Sequence, residues 1–510
     1  MTVGQYMLNA PLPANLKQYD RMLNKTVVNS LLTTLGKEYP NYFTAVINTW
    51  KDLGSTYAYI NGNTISVADL NINRSYRDKI LKATMPTLKK LAPLKQIEGL
   101  RRMIDKINKA EKASAKDNNM YKMINAGSMT KSVQVHQMLS MPPLQKDVHG
   151  QDVVIPVLKS YGEGLDTAGY YSTMYGVRRG TVDRSVNTQD TGALNKALLN
   201  VTRRLLITEE DCGTRKGIDL PTLDKNILDR FALETVAGVI KRNDIIDGKV
   251  LLKLKSKGIK EITVRSPLTC KAVQGVCQRC YGLLPNGSIA PVGTNVGVLE
   301  SQAITERATQ LVMQTFHTGG VTQVGAVAGF PRLLQVLKVP EKLGNKATLS
   351  SVKGIIKKIQ KNSIGGHEVR IEGYGIVNDK DFIIPPGRVP IVVVGQKVNV
   401  GDAISDGVIK PQELGELKDH LAAQNYLTDE ASKIYGGNFF RKTFETVIRG
   451  ISDNAVITSA PDKSGFLRGD RTSISYIKDI NKDRKKQGMD LIKFNPYFKS
   501  VDTANVDAED

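Results

Sequence analysis

The sequence predicts a mixed α+β, multidomain protein, and three observations carry that expectation. Its 510 residues, 41% hydrophobic and 24% charged, suffice for several domains with their own cores. The apolar period changes along the chain. Helical spacing dominates from about Leu16 to Leu53, from Asn71 to Lys122 and from Gly293 to Gly320, whereas residues 346–410 alternate as strands do. Finally, the chain has four cysteines, three of them within eleven residues.

The net charge is +21. A chain this basic most often meets nucleic acid or an acidic surface, the alternative being charge kept for solubility. No apolar run reaches the roughly 18 residues that a membrane helix needs. The start, MTVGQYMLNAPLP, lacks the basic head and apolar core of a signal peptide. An intracellular protein is expected.

Residues 1–70 open on TVGQYMLNAPLP and a helical stretch. LGSTYAYINGNTISVADL follows, read as short alternating pieces around the turn Asn61-Gly62-Asn63. Residues 71–122 are helical and carry 14 Lys and Arg against 5 Asp and Glu. Pro86 and Pro93 interrupt or start helices there. Residues 123–160 begin with MINAGSMTKSVQVHQMLSMPPLQKDVHG, in which His136 is expected to pack rather than to catalyse.

Residues 161–206 hold TAGYYSTMYGVRRGTVDRSVNTQDTGALNKALLNVTRRLL. A helix of about 30 residues spans about 45 Å, enough to cross a cleft. Its glycines and β-branched residues lower helix propensity, which suits a helix that bends. In residues 207–290, Cys212, Cys270, Cys277 and Cys280 are arranged C-x57-C-x6-C-x2-C, within EEDCGT and SPLTCKAVQGVCQRCYG. Four such thiolates suit a tetrahedral structural Zn²⁺, with free thiols or disulfides as the alternative. With four protein ligands, no position stays open for chemistry.

Residues 291–345 centre on GTNVGVLESQAITERATQLVMQTFHTGG, read as one amphipathic helix. Val296, Leu299, Ala303 and Ile304, then Leu311 and Phe316, recur at helical spacing, and Gly319-Gly320 stops the helix. The next segment, VTQVGAVAGFP, has little bulk to pack and is expected to be mobile. His317 would sit where a moving loop swings a group into a site; the plainer reading is a buried helix followed by a surface loop. Residues 346–436 alternate and then give two helical pieces around 411–436. Residues 437–510 contain FETVIRGISDNAVIT and end on acidic VDTANVDAED.

The central string resembles, without a gap, the trigger-loop segment of the largest (β′) subunit of cellular-type RNA polymerases. The family pattern is G-x-x-x-G-x-x-x-x-Q-S-I-G-E-P-x-T-Q-L-T-M-x-T-F-H-x-G-G. Gly293, Gly297, Gln302, Ile304, Glu306, Thr309, Gln310, Leu311, Met313, Thr315, Phe316, His317, Gly319 and Gly320 match. Ala303, Thr305, Arg307 and Val312 depart from it, and Gln314 stands where bacterial enzymes carry Arg. Residues 167–206 resemble the bridge helix, with Gly176, Arg178, Arg179, Gly180, Asp183, Gly192 and Leu194 in register. Asn187 and Ala193 depart there. The cysteines match that family's second β′ zinc site in spacing and wording.

The resemblance implies a domain order. A pore-like region (1–70) precedes a basic funnel-like region (71–122), a bridge-buttressing region (123–160), the bridge helix (161–206) and a zinc-binding region (207–290). The trigger loop and helices (291–345), a β-rich jaw-like region (346–436) and a cleft- or clamp-like region (437–510), in which FETVIRGISDNAVIT would form a strand-and-turn unit, complete it. The funnel charge would draw triphosphates or simply be a solvated face. The zinc would pin the bridge helix end to the base of the trigger helix. Met313 would meet the incoming base, His317 the β-phosphate, Gln310 the ribose and Gln314 a phosphate. Thr188 and Gln189 would face the template base, with Arg178 nearby.

The resemblance further implies DNA-directed RNA synthesis with two catalytic Mg²⁺ held by a D-F-D-G-D loop. No such string occurs here, and Asp244-Ile-Ile-Asp247-Gly is not one. A separate N-terminal β′ chain is expected to bring it, as in the split polymerases of giant bacteriophages, with β-subunit chains and a specificity factor as further partners. DNA template, RNA product and nucleoside triphosphates would be the ligands, and host cytoplasm or virion the location. The competing expectation is a non-catalytic, zinc-containing, nucleic-acid-binding scaffold.

Overall fold

The structure, a computed structural model, describes residues 2–502 apart from 63, 116, 129–131, 146–151, 274, 318–328, 341, 363–364, 374–378, 437–438 and 499. At 93, 94, 179, 180, 183, 184, 187, 311, 313–317, 329 and 331 only the backbone is described. The chain divides into two compact units, Met1–Arg184 with Gln314–Thr322, and Ser185–Met313 with Gln323–Asp510.

The first unit is helical. α1 (Val3–Asn9) starts on a capping box made by Thr2 and Gln5. α2 (Lys25–Glu38) and α3 (Pro40–Asn61) bury Leu31, Leu35 and Val46 with Phe43 and Trp50 packed against them. α3 overturns the expected alternating pieces after Leu53. Pro40 starts the helix and Gly62, at φ +52°, ends it, so the helix runs through Tyr57 and Tyr59. Helical propagation from a packed core outweighs the strand preference of these aromatic residues.

α4 (Ser75–Leu88) and α5 (Pro93–Ser114) pack through Leu88, Leu100, Met103, Ile104 and Ile107. Pro86 stands in the last turn of α4 and Pro93 in the first turn of α5. α6 (Asn119–Ala126) and α7 (Ser132–Leu139) follow, so residues 123–126 and 132–139 of the expected bridge-buttressing stretch are helical. His136 on α7 is packed: its Nδ1 lies 2.7 Å from the buried Glu111 carboxylate, which also accepts from Tyr121 Oη at 2.7 Å. α8 (Thr167–Thr202) runs for 36 residues, and the division between the units falls within it.

In the second unit, β1 (Ile218–Pro221) pairs antiparallel with β2 (Glu261–Val264). α9 (Gly248–Ser256) lies between them in sequence, capped by Asp247, which thereby has a structural task. The short α10 (Gln278–Tyr281) precedes α11 (Val296–His317) and α12 (Gly329–Lys338). β3 (Gly354–Lys361), β4 (His367–Gly373), β5 (Lys380–Ile384) and β6 (Lys397–Val398) form an antiparallel sheet in the order β5-β4-β3-β6. α13 (Pro411–Leu417), α14 (His420–Ile434) and α15 (Arg441–Ile451) follow. β7 (Ala455–Ser459), β8 (Arg471–Thr472), α16 (Ile474–Lys486) and β9 (Lys493–Pro496) close the unit, the strands in the order β8-β7-β9.

α15 replaces half of the expected strand-and-turn unit. Phe444, Val447, Ile448 and Ile451, all fully buried, fall at the i, i+3, i+4, i+7 spacing of a helix, and only Ala455–Ser459 is a strand. These residues join Leu194 and Leu198 of α8, Ile304, Ala308 and Val312 of α11, Leu333 and Leu337 of α12, and Leu427 of α14 in one core. Fully burying a side chain of this size is worth about 1.5–3 kcal/mol. This core therefore fixes the base of α11 against α8. Leu299, expected on the buried face of α11, is 38% exposed. The face that packs carries Ile304, Ala308 and Val312, one turn apart.

His420 supplies a pH dependence. Its ring stacks on Phe498 at 4.6 Å and Nε2 lies 3.1 Å from the Ser452 carbonyl. Burial pushes the imidazole down to about 4. The unfolded chain then binds more protons between about pH 6.5 and 4. The contribution is fully present above that window and is lost as pH falls through it. Urea unfolding should show wild type losing on the order of 2 kcal/mol more than His420→Phe between pH 7 and 4. Parallel pH profiles would contradict this assignment.

Candidate metal centre and helix pair

The four cysteines, far apart in sequence, converge. Their Sγ atoms all lie within 4.8 Å of one another, and Cys212 and Cys280 are 3.7 Å apart. A tetrahedral zinc with Zn–S near 2.3 Å sets S···S edges of about 3.8 Å. Cys270, Cys277 and Cys280 are buried and Cys212 partly so. Main-chain N–H groups point at the sulfurs: Lys271 to Cys212 at 3.3 Å, Cys277 to Cys270 at 3.3 Å, and Cys280 to Cys277 at 3.4 Å. Such donors stabilise thiolates. The Cys270, Cys277 and Cys280 thiols and the Lys271 N–H hold the Cys212 thiol well below its ordinary range. The four cysteines can hold a metal ion, and donor type, spacing and burial are compatible with Zn²⁺.

Local sequence explains the shape of this loop. Cys277 is the N-cap of α10 and accepts from Cys280 N–H, so the C-x2-C spacing is one helical turn. Gly275 adopts φ +75°, and a Cβ there would come 2.1 Å from the Leu206 carbonyl oxygen. Only glycine lets the cysteine loop approach the end of α8 this closely.

That approach ties three parts together. Val276 N–H donates to Leu206 O at 2.8 Å and Thr208 N–H to Val276 O at 3.2 Å. On the other side, Ile207 N–H donates to Thr294 O at 2.9 Å and Gly293 N–H to Ile207 O at 2.8 Å. The segment leaving α8 is thus held between the cysteine loop and the entry to α11.

α8 and α11 are also joined directly. Thr202 Oγ1 lies 2.9 Å from Ser301 Oγ, and Thr305 Oγ1 donates to Asn195 Oδ1 at 2.8 Å. A Cβ on Gly297 would stand 2.1 Å from Thr202 O, so the two backbones are in close contact. Further along, the helices part into a cleft of about 440 Å³ lined by Thr188, Thr191, Gly192, Asn195, Gln302, Thr305, Glu306 and Thr309. Its hydroxyl and amide lining suits polar ligands.

The expected site residues distribute as follows. Thr188 lines the cleft, and Gln189 is exposed beside it on α8. Arg178 is exposed on the part of α8 belonging to the first unit. Gln310 is exposed on α11 and accepts from Arg307 at 2.8 Å. Met313, Gln314 and His317 belong to the last turns of α11, but their side chains lie outside those described. Gly319, Gly320 and the expected mobile segment up to Ala328 lie outside the described residues.

Sequence reading missed several residues. Thr305 reads only as a departure from Gly, yet it makes the Asn195 tether. Arg449 donates to the carbonyls of Pro267, Cys270 and Ala272, bracing the cysteine loop from α15. Glu445, fully buried on α15, pairs with Arg230 at 2.8 Å and accepts from Ser266 at 2.6 Å. Arg265 touches the sulfurs themselves. A positive charge just ahead of a cysteine ligand was the available signal for Arg265. For the others, the partners lie 110 to 215 residues apart in sequence.

Fold and site define a protein in which one long helix and a second helix share a base beside four cysteines that can hold a metal ion. The chain belongs to the family described as RNA polymerase Rpb1, domain 5, whose model matches residues 164–463. That stretch includes all four cysteines, α11, α12 and nearly all of α8 and its approach. Over 540 residues the chain is 28% identical to the DNA-directed RNA polymerase subunit beta' of Caldanaerobacter subterraneus subsp. tengcongensis, covering 96% of this chain and 45% of that subunit. The corresponding subunit of Thermoanaerobacter sp. (strain X514) is 28% identical over 535 residues, with the same coverages. That of Acholeplasma laidlawii is 29% identical over 492 residues, covering 89% and 35%. The chain thus corresponds to part of a β′ subunit and spans less than half the length of these curated relatives. Among the described residues, no helix is long and apolar enough to cross a membrane.

Proposed function

We propose that this chain is the C-terminal part of the β′ subunit of a multisubunit DNA-dependent RNA polymerase divided among several polypeptides. α8 is its bridge helix, and α11 and α12 are its trigger helices. The observation that carries the reading is TQLVMQTFHTGG on and just beyond a helix whose base is locked to the bridge helix by Thr202–Ser301 and Asn195–Thr305. The reaction is template-directed addition of a nucleotide to an RNA 3′ end. A pair of Mg²⁺ ions held by carboxylates of a partner chain would activate the 3′ oxygen and stabilise the leaving pyrophosphate. This chain positions and selects. Thr188 and Gln189 bound the template side, Gln310 and Met313 contact the nucleotide, and Gln314 and His317 reach its phosphates when the trigger segment folds.

Zn²⁺ on Cys212, Cys270, Cys277 and Cys280 keeps the bases of both helices in register. The partners are an N-terminal β′ chain with the D-F-D-G-D carboxylates, β-subunit chains and a specificity factor. DNA, RNA and nucleoside triphosphates are the ligands. The setting is viral transcription in host cytoplasm, or from an enzyme carried in the virion.

The test is reconstitution. The purified chain alone is expected to make no RNA, yet to bind nucleic acid with a log affinity that falls by about 0.9 per phosphate contact against log salt. RNA extension should appear when the carboxylate-bearing partner and β chains are added. RNA synthesis by this chain alone would refute the split-subunit reading. Reconstituted particles that bind DNA and never extend RNA would favour the scaffold reading.

A further inference from the structure

We propose that Arg265 is the counter-cation of the tetrathiolate centre, a positioning residue that retains the metal and shields its sulfurs from electrophiles. The inference rests on the cysteines holding Zn²⁺ and is independent of the polymerase chemistry. Four thiolates around Zn²⁺ leave a net charge of −2, and three of these cysteines are buried. An uncompensated buried charge is costly. Arg265 is fully buried, and its Nη2 reaches three of the four sulfurs: Cys212 and Cys280 at 3.4 Å and Cys277 at 3.6 Å. The fourth, Cys270, is met by the Cys277 N–H instead. Arg449 also stands near Cys270, but its guanidinium is committed to backbone carbonyls.

The guanidinium is held in place from several sides. Nη1 donates to Asn243 Oδ1 at 2.8 Å, and Nη2 lies 2.6 Å from Asp211 Oδ1. The Arg265 N–H donates to Phe231 O at 2.9 Å, just past the end of β2. A planar, permanently charged fork on a fixed backbone can share its donors between a carboxylate and several sulfurs. Lysine could supply the charge but not this spread of contacts. Withdrawing electron density through N–H···S contacts lowers thiolate nucleophilicity and strengthens retention of the assembled site.

The experiment uses the full-length, zinc-loaded chain. Metal analysis of wild type comes first, and its failure would fall on the zinc reading rather than on Arg265. Arg265→Met and Arg265→Lys are then followed by zinc release to a chromophoric chelator and by cysteine alkylation with iodoacetamide. Alkylation forms an S–C bond from a thiolate lone pair and expels iodide. Loss of a metal-tuning outer contact typically costs 10–100-fold in affinity. Arg265→Met should therefore release zinc at least 10-fold faster and alkylate faster, with Arg265→Lys intermediate.

In Co²⁺-substituted protein the sulfur-to-cobalt charge-transfer band of Arg265→Met should move to longer wavelength, since an uncompensated thiolate gives up electrons more easily. A merely structural role would leave that band in place. An Arg265→Met protein that melts like wild type and keeps its zinc release, alkylation rate and cobalt spectrum overturns the proposal. Should Arg265→Met not fold, Asn243→Gly, which tolerates the φ of +66° there, removes the Nη1 contact together with the 3.4 Å Asn243–Asp211 contact and keeps the charge. Several-fold faster zinc release is then expected, and wild-type release overturns the proposal.

Discussion

Cys277→Ser is expected to yield protein without its zinc and with residues 206–210 and 275–280 locally unfolded. Serine is a good N-cap, so the first turn of α10 keeps its start and the change isolates the metal ligand. The serine hydroxyl keeps its proton at neutral pH and is a harder donor than thiolate, so it does not replace the sulfur. Structural zinc sites are worth on the order of 10–16 kcal/mol in zinc-finger peptides. The cost here is confined by the neighbouring apolar cores, which hold their own shape. Metal analysis reads the first part of the expectation. Amide hydrogen exchange reads the second, through Ile207, Thr208, Val276 and Gly293, whose N–H groups bond between the α8 exit, the cysteine loop and the α11 entry or flank those bonds. A variant that retains one zinc with unchanged protection would show that the four cysteines are not its ligands.

In the assembled polymerase, His317→Ala should slow nucleotide addition by about 10²–10⁴-fold if the imidazole donates a proton. A few-fold loss is expected if it only positions the phosphates. Template binding should be unchanged in either case. His317 ends α11, immediately before Thr318 and the glycine pair. In the proposed reading His317 meets the nucleotide as it reacts, so its contribution would belong to the transition state. Met313→Ala should instead raise the apparent KM for nucleotide and weaken discrimination, since it removes contact area rather than charge. Single-nucleotide extension on a preassembled RNA–DNA scaffold at saturating nucleotide separates the two. An unchanged rate for His317→Ala would make this residue a packed histidine and remove it from the site.

The cysteine cluster was legible because ligand chemistry is local: a C-x2-C pair fits one helical turn, and four thiols in such spacing suit a metal ion. The helix over 296–317 was legible because its apolar residues recur every three or four positions. Two of the misreadings share one cause. TYAYIN and FETVIRG are rich in β-branched and aromatic residues, and short apolar runs look alike as strand or helix. The first continues a helix already propagating from Pro40, and the second shares a core with apolar residues of α8, α11, α12, α13 and α14. Leu299 was misplaced because periodicity shows that a face exists without fixing which residues border it.

Arg265 and Thr305 mark the limit more sharply. By itself the sequence determined the element types over most of the chain, the candidate metal ligands, the family resemblance and the absence of a D-F-D-G-D string from these 510 residues. Those follow from residue chemistry and from spacing within a few turns. Only the tertiary structure decided that one guanidinium serves three sulfurs, that Thr305 ties α11 to Asn195, and that Glu445 answers a buried Arg230 215 residues away. Such pairs are set by where separate elements meet. A buried charge or donor must find a partner in the folded chain, and sequence distance has no part in that requirement.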